Sequence, residues 1–143
     1  SIKLNENNAT ALKNYAYFLL GLEQPTLIEK AVRLASKAVA LHPNDFRLLD
    51  TYGFALFLQR DYLQAEIYLR QAIERAEAAQ KEDPSSVSIA SLAEYYYHYA
   101  KVQEEVGNLQ TSLLFLQKVK QLVSTDEIDL AIEEIKRRME SSK

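Results

Sequence analysis

Apolar residues in this chain recur at three- and four-residue spacing, and that period restricts its fold more than any other feature. Between Tyr62 and Ala79, the residues Ala65, Leu69, Ala72, Ile73 and Ala76 fall on one side of a helix. A strand alternates faces at every residue and would scatter them over both. The same spacing predicts helices over about 8–20, 27–41, 45–59, 62–79, 87–105, 109–123 and 126–139. Breakers fall between them: Gly21 with Pro25, His42-Pro43-Asn44, Arg60-Asp61, Asp83-Pro84-Ser85-Ser86, Gly107-Asn108 and Ser124-Thr125. Ser124 and Glu127 have capping-box spacing ahead of a last stripe of Ile128, Ala131, Ile132, Ile135 and Met139. Three glycines and three prolines in 143 residues are too few for the turns of an all-β domain, so the expected class is all-α. No stretch has a linker's Gly/Ser or Pro bias, which predicts a single domain over 1–143.

Charge and cysteine content narrow the function classes. With 17 basic and 20 acidic residues the net charge is -3, which offers no footprint for nucleic acid or an anionic membrane. The absence of cysteine excludes disulfides and thiol chemistry and leaves the redox compartment open. The longest uncharged run, 12 residues between Glu105 and Lys118, is well short of the ~20 that span a bilayer, so no membrane insertion is expected. Residues 1–8 carry Asn and Glu where a signal peptide would be apolar.

The helices come in pairs of nearly constant size. Residues 46–79 carry Leu49, Tyr52-Gly53, Leu56, Tyr62, Ala65, Leu69 and Ala72, and in these the chain resembles the tetratricopeptide repeat, a unit of 34 residues. Two antiparallel helices that cross closely admit nothing larger than Ala at the crossing, a need met by Gly53, Ala65 and Ala72. Upstream, Ala16, Ala31, Ala38 and Pro43 fit the same frame with three extra residues around 23–26. Downstream, Tyr96, Tyr99-Ala100, Gly107, Leu109, Ser112 and Val119 give another unit whose start, Ala93, lies 47 residues after Phe46. The 13 extra residues extend the preceding helix through Glu82 and the following one back toward Val87. The units are then about 9–45, 46–79 and 93–123, followed by a capping helix at about 125–140. The resemblance implies a right-handed α-solenoid of three helix pairs plus that cap. The wording of 14–19, Asn-Tyr-Ala-Tyr-Phe-Leu, and of Leu49-Asp50-Thr51-Tyr52-Gly53 is similar to bacterial tetratricopeptide regions, which points to bacterial cytoplasm or periplasm.

The family's concave groove takes a peptide or helix of a partner, on residues from the second, fifth, ninth and twelfth positions of each first helix. Here those are Thr10, Lys13, Tyr17 and Leu20, then Arg47, Asp50, Phe54 and Phe57, then Glu94, Tyr97, Lys101 and Glu104. The rings of Tyr17, Phe54, Phe57 and Tyr97 exceed what the repeat's packing positions require, so they are the expected anchors, with Lys13, Arg47, Asp50 and Lys101 setting orientation. The alternative is that these rings pack on one another or on the extra turn at 23–26. Family members that hold acidic chaperone tails use a clamp of lysines, asparagines and an arginine. This chain has Lys13, Tyr17, Thr51, Glu94 and His98 at those places, so no chaperone-tail binding is expected.

Chemistry finds little support. Two histidines, His42 and His98, and no cysteine leave a zinc site to be built mainly from carboxylates. No phosphate loop, nucleophile elbow or His-Glu-x-x-His motif occurs. An enzyme would need a site centred on His98 with Asp50 or Glu94. The expectation is therefore a non-catalytic module without cofactor or metal that binds a protein or peptide, or else a scaffold that self-associates, for instance as a homodimer.

Overall fold

The computed structural model describes residues 9–142. Among these it has seven α-helices and no strand: α1 (Ala9–Gly21), α2 (Pro25–Leu41), α3 (Phe46–Leu58), α4 (Tyr62–Glu82), α5 (Ile89–Glu105), α6 (Leu109–Leu122) and α7 (Asp126–Ser141). The helix ends show why these segments start and stop there. Pro25 opens α2 rather than preceding it, since the first turn needs no N–H from its residues. Asp45 caps α3 by accepting from the Arg47 N–H at 3.0 Å, and Ser88 caps α5 by accepting from the Ser91 N–H at 3.0 Å. The cap of α7 is Thr125, which accepts from the Ile128 N–H at 3.2 Å. Ser124, expected in that place from its spacing to Glu127, lies one residue too early because the helical backbone begins only at Asp126. Between α4 and α5 the chain makes a 3₁₀ turn, Pro84–Ser86, held by Asp83, whose Oδ1 accepts from the Ser85 hydroxyl at 2.7 Å. Those hydrogen bonds from Ser85 also hold the Asp83 carboxyl below its ordinary pKa.

Two of the turns between paired helices close in the same way. After α5, the Asn108 N–H reaches back to the Gln103 carbonyl at 2.8 Å, with Gly107 at φ +89°. After α3, the Asp61 N–H reaches the Leu56 carbonyl at 2.9 Å, with Arg60 at φ +68°. This closure demands a left-handed residue, which glycine adopts freely and arginine only against a steric cost.

The chain divides into two compact units, one running through Arg75 and the other starting at Ala76. In the first, Ala16, Leu19, Leu20, Ala31 and Ala55 form a core against which Ile28, Phe54 and Leu58 pack. A second cluster joins Leu12, Ala38 and Leu48. The small residues sit where backbones approach: a Cβ added to Gly53 would lie 2.6 Å from the Leu69 Cγ and 3.1 Å from the Leu69 backbone nitrogen. Ala65 and Ala72 are wholly buried. In the second unit α5 packs on α6 through Ala100 and Ser112, both buried. The Ser112 hydroxyl donates to the Ala100 carbonyl at 2.9 Å, so the serine adds a hydrogen bond at a crossing where alanine would supply only its size. Phe115 meets Tyr99 and Tyr96 at ring distances of 4.7 and 5.7 Å. The apolar stripe Ile128, Ile132 and Ile135 of α7 is buried, and Lys120 of α6 pairs with Asp129 of α7 at 2.8 Å.

Candidate functional site

In the first unit a helical period places Asp50, Phe54 and Phe57 on one face of α3. Tyr17 of α1 stacks on Phe54 at 6.3 Å, Phe54 on Phe57 at 6.2 Å, and Phe57 meets Tyr62 of α4 at 5.7 Å. These four rings form a continuous ladder, each half-buried and each leaving part of its surface in solvent. Beside the ladder lies a hollow of about 410 Å³ walled by Tyr17, Leu20, Gly21, Glu23, Ile28, Phe54 and Leu58. A second hollow of about 390 Å³ shares Ile28 and Leu58 and runs on to Pro25, Gln59 and Arg60. Glu23 holds φ +55°, so the extra turn between α1 and α2 contributes its own strained residue to the wall.

The sequence-expected residues occupy distinct roles. Tyr17 donates its hydroxyl proton to the Asp50 Oδ2 at 3.1 Å. Asp50 is 1% exposed, so it is a buried polar anchor for that ring rather than a charge offered to a ligand. Leu20, 3% exposed, belongs to the core and reaches the hollow only as part of its wall. Phe54 also packs against the core cluster, so it is not surplus to folding. Arg47 turns its guanidinium onto Asp45, with Nε 3.2 Å from Oδ1 and Nη2 3.0 Å from Oδ2, and donates to the Thr10 hydroxyl at 3.2 Å. Burial works against ionisation of Asp45, but the hydrogen bonds and charge of Arg47, with the N–H groups of Arg47 and Leu48, outweigh it and hold the carboxyl below its ordinary pKa. Lys13 is half-buried on α1.

In the second unit α5 carries Tyr97, 36% exposed, and Lys101, paired with Glu104 at 3.4 Å. Glu104 also receives Arg138 of α7 at 2.8 Å. A hollow of about 350 Å³ opens here, lined by Ala90, Ala93, Glu94, Tyr97, Val119, Val123, Glu127 and Ile128. Its far wall comes from the end of α6 and the start of α7, residues that a frame restricted to first helices passes over. Counting one further 34-residue period from Ala93 lands on Glu127 and would have flagged them. His98 is buried, and its Nε2 lies 3.9 Å from the Glu94 Oε1, longer than a hydrogen bond. Burial also raises the Tyr96 phenol, and the Glu77 carboxylate that accepts its proton at 2.6 Å raises it further.

Comparison with solved structures places the fold. The TPR2AB domain of yeast Sti1, in a complex with pHSP90, superposes with a TM-score of 0.73 at 16% identity over 94% of this chain. The N-terminal domain of stress-induced protein-1 (STI-1) from C. elegans superposes with a TM-score of 0.68 at 13% identity, again over 94% of this chain. The fold is that of tetratricopeptide domains. The chain spans 48% of the yeast structure and 98% of the nematode one. No protein-family model matches the sequence, and no curated protein matches it. No helix among the described residues is long and apolar enough to cross a membrane.

Proposed function

We propose that this chain is a non-catalytic interaction domain that holds a peptide or helix of another protein. In this reading α1/α2, α3/α4 and α5/α6 are three successive repeats and α7 caps the last. The observation that carries it is the ladder Tyr17, Phe54, Phe57 and Tyr62 beside an apolar hollow of about 410 Å³. Rings that are rigid, half-exposed and fixed by neighbours are the usual anchors of an interface, because little side-chain entropy is lost when they are covered. An acidic chaperone tail is not the expected ligand. Of the five clamp positions, Thr51 and His98 are buried, Thr51 donates to the Arg47 carbonyl at 2.9 Å, and the Tyr17 hydroxyl is committed to Asp50. Affinity capture from native lysate with wild type and with Phe57→Glu tests the proposal. Phe57 is chosen over Phe54 because Phe54 packs against the core of Ala16, Leu19, Leu20, Ala31 and Ala55. The expected result is a protein retained by wild type and lost with the variant while the variant melts cooperatively; identical recoveries would refute the site.

Self-association is the second reading, favoured by Phe18 of α1 and Leu22 just beyond its end, 62% and 45% exposed. Light scattering separates the two: a mass that stays monomeric at micromolar concentration excludes a strong homodimer.

A further inference from the structure

We propose that the hollow in the second unit receives a lysine or arginine side chain from a basic amphipathic segment of a protein partner. This rests on the interaction-domain reading above and names the chemistry of one subsite. The walls from Ala90, Ala93, Val119, Val123 and Ile128 are apolar and suit an aliphatic stem. The charged residues that line the hollow are both carboxylates, Glu94 and Glu127. The neighbouring bases are already engaged, Lys120 by Asp129 at 2.8 Å, and Lys101 and Arg138 by Glu104 at 3.4 and 2.8 Å. Glu94, 46% exposed in its side chain, approaches His98 at 3.9 Å and still borders the opening.

Electrostatics favour the same occupant at longer range. From Ala76 onward the chain has 12 acidic and 8 basic residues, so this unit carries -4 while the rest of the sequence carries +1. The start of α7 contributes roughly half a positive charge by its backbone dipoles. That is outweighed by the two lining carboxylates together with Asp126 in the same first turn. Tyr97, with over a third of its surface exposed, supplies an aromatic face at the rim.

The test uses three fluorescein-labelled 14-residue amphipathic peptides of leucine with lysine, glutamine or glutamate at the polar positions, titrated against the full chain by anisotropy. The lysine peptide should bind at least tenfold tighter than the glutamine peptide, with the glutamate peptide weakest. The double variant Glu94→Gln/Glu127→Gln should lower the lysine peptide's affinity about tenfold and leave the glutamine peptide's unchanged. Glu133→Gln/Glu134→Gln, an equal charge change on exposed residues of α7, should leave both unchanged. Equal affinity for the lysine and glutamine peptides would overturn the cationic subsite while leaving peptide binding intact. Equal weakening by the two double variants would overturn its location, and binding of none of the three would overturn it as well, with the Phe57→Glu capture then deciding the broader reading.

Discussion

Gly53→Ala tests whether close backbone approach sets the α3/α4 crossing. The added methyl would stand 2.6 and 2.7 Å from the Leu69 Cγ and Cδ2, roughly 1 Å inside ordinary carbon contact. Leu69 is 1% exposed and cannot swing into solvent, and its backbone nitrogen at 3.1 Å keeps the helices from accommodating the methyl by side-chain motion alone. Overpacking of this kind costs about 1–3 kcal/mol. Against it stands a gain of about 1 kcal/mol from replacing glycine by alanine inside a helix. The net expectation is a loss of up to about 2 kcal/mol, or up to roughly 6 °C in Tm, read by urea titration and thermal melts under circular dichroism. The other glycines are internal controls, since a Cβ at either meets nothing within 4 Å. Gly107→Ala should cost about 1 kcal/mol through its left-handed backbone alone. Gly21→Ala at the end of α1 should be neutral or stabilising by up to about 1 kcal/mol. A Gly53→Ala protein stabilised by the full gain of about 1 kcal/mol would refute the close crossing and, with it, the packing frame.

Three further outcomes follow from the hydrogen bonds and charges. Asp45→Asn retains a cap but removes the charge paired with Arg47. Because the folded carboxyl lies below its ordinary value of 3.8, its contribution is present above that pH and is lost as pH falls through the lowered value. Wild type should therefore exceed the variant by up to about 1 kcal/mol at pH 7 and converge with it in strong acid, as urea midpoints against pH will show. Tyr96→Phe removes the 2.6 Å bond to Glu77 and should cost about 1–2 kcal/mol in the same unfolding assay. An acidic chaperone-tail peptide should give no measurable heat of binding in calorimetry; micromolar affinity would overturn the clamp argument.

The helices were legible because each buries a stripe at helical period, and the expected starts and stops fall within a few residues of those observed. Where the two differ, local chemistry decided. Thr125 caps α7 because the backbone there is extended, a conformation that the spacing of Ser124 and Glu127 does not report. Arg60 takes the left-handed turn that Gly107 takes in the second unit, so the shared closure was hidden behind unlike residues. Among the site residues, Tyr17, Phe54, Phe57 and Tyr97 stood out in the sequence as a surplus over packing positions, whereas Tyr62 was hidden among the repeat's own positions. Phe54 nevertheless packs on the core, and Asp50 and Leu20 are buried. Position within a repeat tells which way a side chain leaves its helix, and neighbouring turns determine how much of it remains uncovered. The hollow of the second unit was missed because half its wall comes from the end of α6 and the start of α7.

The most direct test of the central claim is selection of a random 12-residue peptide library on the immobilised chain, with each enriched peptide then measured against wild type and the Phe57→Glu variant. The expected result is enrichment of sequences that carry large apolar residues and bind the folded variant at least tenfold more weakly. No enrichment, or peptides that bind both proteins equally, would contradict it.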